Sequence, residues 1–475
     1  MDGEIRKKKR KHPVYVNVEN CKYEIVRTAA QKKGWKLCTD EDDVEWNLYW
    51  TDMSVTVDRI LKLKDFQKIN HFPGMYQISR KADLARTLNR MNRTHPEQYS
   101  FYPRSWVFPE EEAEFRDYVR KHKHKKFTYI IKPNTGCQGK GIYLTRTAES
   151  VNYSEPSVAQ RYVADPLLLD GYKFDLRVYV LVASVVPLRL LLYREGLVRL
   201  CTVPYKAPKA SNLGSERMHL TNYAINKGAE GFQAAQAEAF VPAGNEETAS
   251  KRRLSWFLRW VDCQPDGPGA AEVWQRVAHI AAATLLAAQP MLAHLLKSCQ
   301  RAAGGGMQCF EVLGFDIMID KDFKPWLVEV NHSPSFSVDS LLDREIKLSL
   351  VSDTMRLLCI KGNDRKKHQK KAQAQAQQRL YGNRFKPVSK TCRNEAWMTY
   401  KKWEREHKGN YQVIFPPEDT REYNVFSQEG HSTENPDYAE PDIFNETQEQ
   451  AAEIMATYAH ILDSSARLFQ ATAVS

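Results

Sequence analysis

Three groups of residues have types and spacings suited to chemistry. In the first, Asp316 interrupts an apolar run over 308–319, and Glu329 and Asn331 lie two apart at the end of a second run over 325–330. A strand puts residues two apart on one face, and a turn at 320–323 sets Asp316 opposite Glu329. Hard oxygen donors on one face suit magnesium, which keeps positions for phosphate and water. The plainer alternative is a hairpin with solvent-facing acids. Against it stand the apolar flanks and the polar continuation Asn331, His332, Ser333, Pro334, Ser335.

In the second group Lys132 ends the apolar strand 127–132 directly before a loop holding Gly136, Gly139 and Gly141. Glycines let backbone amides approach phosphate oxygens, and a lysine leaving the strand can neutralise them. No helix follows and no Lys-Ser/Thr pair is present, so this is neither a dinucleotide fingerprint nor a P-loop; it is a hairpin whose tip can cover phosphates. In the third group Lys173, Asp175, Arg177 and Tyr179 alternate with apolar residues, so four polar side chains share a strand face. Arg177 can then reach a transferring phosphoryl group, or the face is simply a half-exposed one laced by ion pairs. Arg199 adds a second cation, and His219, Thr221, Asn222, Asn226 and Lys227 form either a substrate loop or a surface turn. No cysteine or histidine completes a nucleophilic triad, and Cys137 reads as a small loop residue.

The elements that must position these groups follow from pattern. Strands are expected at 13–18 and 48–51 with a helix over 23–33 between them, making a small α/β unit. Helices are expected at 58–63 and 81–91, a turn at 70–74 and a loop at 101–109. Strands follow at 142–145, 157–162, 174–183 and 188–193, and then a long Ala/Leu-rich helix over 271–296, broken near Pro290. These divide the chain into a basic tail (1–12), an N-terminal α/β domain (13–110), two further lobes (111–360), an exposed basic helical extension (361–415) and an acidic tail (416–475) with a helix expected at 447–462.

The 475 residues are 42% hydrophobic, enough for a substantial core. Residues 418–475 hold 12 acids against Arg421 and Arg467, so the net +11 of the whole chain conceals +21 in the residues before them. That excess favours an acidic partner: nucleic acid, anionic membrane or an acidic protein surface. Nine scattered cysteines without a close pair suggest reduced thiols, and the basic start lacks the apolar stretch of a secretory signal. The longest apolar runs are too short or too interrupted for a membrane span.

Several ordered blocks now carry a resemblance. The run Asn70 to Gly74, Lys132 and Pro133 with the loop to Ile142, Asp170 to Arg177, His219 to Tyr223, and Glu329 to Ser335 resemble the signature blocks of the tubulin tyrosine ligase-like family, and the wording is similar to its polyglutamylase branch. The resemblance runs over 15–358. It implies an α/β ATP-grasp fold preceded by a small N-terminal domain, with ATP and Mg2+ as cofactors. Lys132 and Lys173 would contact nucleotide, Gly136, Gln138, Gly139, Lys140 and Gly141 would cover its phosphates, and Gln160, Arg161 and Tyr162 would form the hinge near adenine, with Asp175 and Asn222 in the same site. Asp316, Glu329 and Asn331 would hold magnesium, Arg177 would stabilise the phosphoryl group, and Arg199 and Lys227 would bind acidic substrate groups.

The activity so implied is ATP-dependent addition of free L-glutamate to glutamate side chains or branches in tubulin C-terminal tails through an acyl phosphate. Lys361, Arg365, Lys366, Lys367, Lys370 and Lys371 would pair with the acidic microtubule surface. A monomer is expected, without membrane or specific nucleic acid, in the cytoplasm on the cytoskeleton, with cilium or basal body as narrower sites. A glycine ligase on the same scaffold and a noncatalytic microtubule binder are the alternatives; the intact Lys132, Arg177, Asp316, Glu329 and Asn331 count against the second. The Ala- and Glu-rich stretch 228–250 is the least family-like part of this region.

Overall fold

The structure, a computed structural model, describes residues 12–38, 45–136, 139–233, 248–299, 307–380 and 390–416. Cys137, Gln138, most of 228–250, the basic start, the acidic tail and the helix expected at 447–462 lie outside the described residues.

The first sheet holds β1 (Tyr15–Asn17), β2 (Lys36–Cys38), β3 (Leu48–Tyr49) and β4 (Lys68–Ile69), in the order β2-β1-β3-β4 and all parallel. Parallel neighbours need crossovers. The helix Glu24–Lys32 supplies one, burying Ile25, Val26, Ala29 and Ala30 in a cluster shared with the helix Leu341–Leu357. Past β4 the chain turns through Asn70 to Gly74. The buried Glu311 accepts from the Phe72 amide at 2.9 Å and sits 2.9 Å from His71 Nδ1. Gly74, at φ +89, passes so close to the long helix below that a Cβ there would stand 2.5 Å from Leu295. These contacts seat the N-terminal unit on the rest of the molecule.

The second sheet is antiparallel, ordered β5-β8-β6-β7, from β5 (Ser105–Phe108), β6 (Tyr129–Pro133), β7 (Tyr143–Thr145) and β8 (Ser157–Arg161). Sequence expectation made 101–109 a loop because of its two prolines. In fact Ser105, Trp106, Val107 and Phe108 are all buried and pair with Gln160 back to Ser157, because the prolines lie outside the paired residues.

The third sheet contains β9 (Leu168–Leu169), β10 (Tyr172–Val185), β11 (Leu188–Tyr193), β12 (Leu197–Leu200), β13 (Lys251–Arg253), β14 (Glu311–Ile319), β15 (Pro325–Asn331) and β16 (Tyr411–Phe415). The long strand β10 is its spine. Its even residues Phe174, Leu176, Val178, Val180 and Val182 pack on one face in the same cluster as the helix Ala270–Cys299. On the other face Tyr179 and Leu181 pack towards the helix Leu341–Leu357, which leaves Lys173, Asp175 and Arg177 at the open end.

The helix Ala270–Cys299 runs unbroken through Pro290, against the expected break. Proline removes one backbone donor, but Leu285, Leu286, Ala288, Leu292 and Leu296 are buried on both sides of it, and that packing carries the helix across. By length and composition this helix could cross a membrane; here two thirds of its most apolar window, 67%, is buried inside the protein.

The basic helix expected after residue 360 is present at Asp364–Leu380. The helix Lys390–His407 follows, and then β16, which pairs with β11 and extends the third sheet. Glu404 pairs with the buried Arg189, which also donates to the Pro416 carbonyl at 3.0 Å.

Candidate active site

The acidic hairpin owes its geometry to one irregularity. Gly314 pairs with Asn331 and Asp316 with Glu329, but Ile317 pairs with Leu327, so Val328 is an extra residue between two paired positions. Such a bulge shifts the strand's alternation by one. Leu327 and Val330 therefore both face the core, while Glu329 and Asn331 face the site.

Two cross-strand rows meet there. In one, Arg177 of β10 lies opposite Asp316 of β14, which lies opposite Glu329 of β15. In the other, Asp175 of β10 lies opposite Arg199 of β12, which lies opposite Lys251 of β13. Arg177 grips Asp316 through Nε at 2.5 Å and Nη2 at 3.0 Å. Arg199 grips Asp175 at 2.7 and 2.6 Å and reaches Asp316 at 2.9 Å, tying the rows together. Thr221 donates to Asp175 at 2.6 Å.

Burial alone would raise the Asp316 carboxyl, but Arg177 and then Arg199 hold it well below the usual range. Glu329 moves the other way, raised by burial and by the neighbouring Asp316 carboxylate. Asn331 donates to Glu329 at 3.2 Å. A divalent cation relieves this kind of repulsion between buried carboxylates, so the pair with its carboxamide fits one. Among the described residues no group of three or more acidic, histidine or cysteine side chains is arranged to hold a metal.

Two buried ammonium groups lie nearby that form no ion pair among the described residues. Lys132 donates to Gln160 Oε1 at 2.8 Å and to the carbonyl of the bulge residue Val328 at 3.4 Å. Lys173 donates to the Tyr162 hydroxyl at 2.9 Å and the His219 carbonyl at 2.6 Å. Burial pushes both lysines down to about 8. Burial and Lys173 together push His219 to about 4, leaving a neutral imidazole beside the Tyr162 hydroxyl at 3.1 Å.

A cavity of about 300 Å³ collects Lys132, Gly136, Gly139, Lys140, Asn222, Glu329 and Asn331. Gly139, at φ +84, comes so near the segment 219–227 that a Cβ would lie 2.6 Å from Ile225 and 3.1 Å from Asn222. Gly141 shares the positive-φ geometry at the foot of the loop. Arg177, Arg199 and Asp175 lie in the strand rows rather than in the cavity wall, Gln160 backs the cavity through its bond to Lys132, and Lys173 and Tyr162 are buried together outside the lining. Two expected residues sit apart. Arg161 is exposed, its guanidinium 3.9 Å over the Phe127 ring, and Lys227 is an exposed rim residue paired with Asp339 at 2.8 Å.

Three contributors escaped sequence reasoning. Ser79 and Lys81 line the cavity from the N-terminal domain, and Lys81 donates to the Gly136 carbonyl at 2.8 Å. Their signal was faint: two polar residues at the junction of the helices Tyr76–Ser79 and Lys81–Thr94. Lys251 is buried against Asp343 at 2.7 Å with its ammonium 4.0 Å over the Tyr223 ring, and only the cross-strand register reveals it.

An α/β scaffold with a glycine hairpin beside the buried Lys132 and an arginine-backed carboxylate pair defines the class as an ATP-grasp-like fold. Residues 59–369 match the Tubulin-tyrosine ligase family. Tubulin polyglutamylase TTLL13 of Mus musculus is 42% identical over 432 residues, covering 89% of this chain and 52% of the relative. Tubulin polyglutamylase ttll6 of Danio rerio is 43% identical over 88% of this chain and 52% of its own length, and tubulin polyglutamylase TTLL7 of Mus musculus 37% over 88% and 48%. The chain belongs to the tubulin-tyrosine ligase family, and it spans about half the length of the curated relatives it matches.

Proposed function

We propose that this protein is an ATP-dependent tubulin polyglutamylase. The observation that carries the reading is the pair of buried lysines, Lys132 and Lys173, with no carboxylate partner among the described residues, Lys132 lining a cavity that also holds Glu329 and Asn331. A desolvated ammonium with only neutral acceptors is poised for an anion, and a polyphosphate supplies one. Asp316, Glu329 and Asn331 would hold Mg2+, which when bound supplies positive charge to phosphate oxygens; Asp316 is the least available, its oxygens being shared with both arginines.

In the reaction a tail glutamate carboxylate attacks the γ-phosphorus of ATP and the bond to the β-phosphate oxygen breaks, releasing ADP. The amino group of free glutamate then attacks the acyl phosphate carbon, phosphate departs with the bonding electrons, and the nitrogen loses a proton as the isopeptide forms. Lys132, Lys173 and the 136–141 hairpin hold the nucleotide, with Gln160 and Tyr162 positioning the lysines. Arg177 and Arg199 offset the charge of a carboxylate approaching a phosphate, an electrostatic task. Lys227 and Lys251, both close to the Tyr223 ring and paired with Asp339 and Asp343, would share their charge with the carboxylates of the incoming amino acid. That favours glutamate over glycine, which has no side-chain carboxylate.

On this reading the partners are microtubules and tubulin tails in the cytoplasm, cilium or basal body, and the protein acts as a monomer. Mass spectrometry of microtubules incubated with protein, ATP and Mg2+, with glutamate and glycine in separate reactions, tests it. Glutamate-mass steps lost in Glu329→Gln support it; glycine steps, or none from the unaltered chain, reject it.

A further inference from the structure

The densest run of positive charge in the described ligase lobes lies on the second sheet, away from the cavity. Residues 120–126 read Arg, Lys, His, Lys, His, Lys, Lys without an acid. The helix Glu112–Lys121 ends there. Cations in a helix's last turn offset its dipole, and that need is met by Arg120 and Lys121, which both pair with Asp117. Lys123, Lys125 and Lys126 lie beyond that turn. All three are exposed, and with Arg161 they form no ion pair among the described residues.

The run is held in place. Tyr118 stacks on His122 at 4.1 Å, and the Phe127 ring lies 5.9 Å from His122. Arg104 covers Tyr118 at 4.4 Å and Arg161 covers Phe127 at 3.9 Å. His122 Nδ1 donates to the Tyr118 carbonyl at 2.9 Å. Lys126 adopts a left-handed backbone, φ 49 and ψ 39, which is unfavourable for a residue with a Cβ. The result is a cationic step whose backbone is anchored by the aromatic stack, so an anion meeting it has little backbone order left to impose.

We propose that Lys123, Lys125, Lys126 and Arg161 form a second docking surface for an acidic polypeptide tail, separate from the helix Asp364–Leu380. The choice of occupant rests on the polyglutamylase reading, since a microtubule offers many glutamate-rich tails at once; the existence of the surface does not. An acidic peptide is favoured over a nucleic acid because guanidinium groups lie over the two outer rings, closing faces on which a base would stack.

The test uses the full chain, a labelled oligo-L-glutamate peptide and the triple variant Lys123→Glu/Lys125→Glu/Lys126→Glu, with a second triple, Lys366→Glu/Lys367→Glu/Lys370→Glu, on the C-terminal helix. Exposed charge pairs each contribute little, so the first triple should weaken peptide binding by about tenfold at low salt, with the loss fading at high salt. Combining the triples should multiply their effects. ATP-dependent ligation on a short soluble acceptor peptide, run alongside, should keep its kcat in the first triple. Peptide binding unchanged in the first triple overturns the proposal. So does a single-stranded oligonucleotide that binds more tightly than the peptide and loses affinity in the same triple. If the unaltered chain ligates nothing while the triple still loses peptide affinity, the surface stands and the polyglutamylase reading falls.

Discussion

Glu329 shows how much rests on one backbone irregularity. Without the bulge at Val328 its carboxylate would share the core face with Leu327; with it, a buried acid meets Asp316 across the hairpin. Glu329→Gln removes the like-charge pair, so ligation should fall at least about a hundredfold, read as glutamate incorporation, while the melting temperature stays the same or rises. Lys132 and Lys173 make a complementary prediction. Their ordinary value of 10.5 falls to about 8 on burial, so between about 8 and 10.5 the unfolded chain binds more protons than the folded one. Stability of the nucleotide-free protein should therefore rise with pH through that window, because the cost of burying each ammonium, roughly 3 kcal/mol by the pKa difference, is relieved. Nucleotide affinity should run the opposite way and weaken above about pH 8 as the ammonium groups are lost, by up to about tenfold per pH unit for each lysine required. Titration calorimetry across that range checks the sign, and Lys173→Met should abolish nucleotide binding while melting no lower than the unaltered chain.

At the scale of elements, legibility followed periodicity. The alternation of Lys173, Asp175 and Arg177 with Phe174 and Leu176 located the polar face of β10, and the spacing of Glu329 and Asn331 located two residues of the cavity wall. The bulge was invisible, since Val328 differs in no way from its apolar neighbours. The strand Ser105–Phe108 was hidden by flanking prolines, and the continuity of Ala270–Cys299 through Pro290 is a tertiary effect that local preference opposes. Lys81 and Lys251 belong to elements that reach the site only through packing and register. Residue type alone suggested phosphate-facing roles for Lys132 and Arg177 and a metal-binding set of Asp316, Glu329 and Asn331, and these roles stay part of the proposal; the idea of a tubulin tail as acceptor came from the resemblance alone. The long helix should be intolerant of cavities, with Leu286→Ala costing about 2–5 kcal/mol in denaturant unfolding. The buried Arg189 and Glu404 pair pins β16 to its sheet, and Glu404→Gln should cost about 3 kcal/mol by leaving Arg189 unpaired. Replacing both residues by apolar ones of similar size should recover most of that loss.

At the scale of the whole molecule the cations divide by duty. Arg365 pairs with Glu45 and Lys371 with Asp65 at 3.3 Å, so these two fasten the basic helix to the N-terminal domain. Among the described residues Lys366, Lys367 and Lys370 form no such pair. Charge reversal of those three should lower microtubule co-sedimentation and flatten its salt dependence, whereas Arg365→Ala should act mainly on thermal stability. The placement of β16 has a consequence for how the chain is made. Arg189 and Glu404 are 215 residues apart, so during synthesis the hairpin of β10 and β11 emerges long before the strand that covers its edge. Until residues 411–415 arrive, β11 presents an unpaired apolar border of Leu188, Leu190, Leu191 and Leu192, an adhesive seam for other nascent chains. Closing a loop of that span is slow as well as late. Soluble yield should therefore depend on how quickly translation delivers the final strand relative to how crowded the neighbouring ribosomes are, a dependence on tempo that the finished molecule no longer displays.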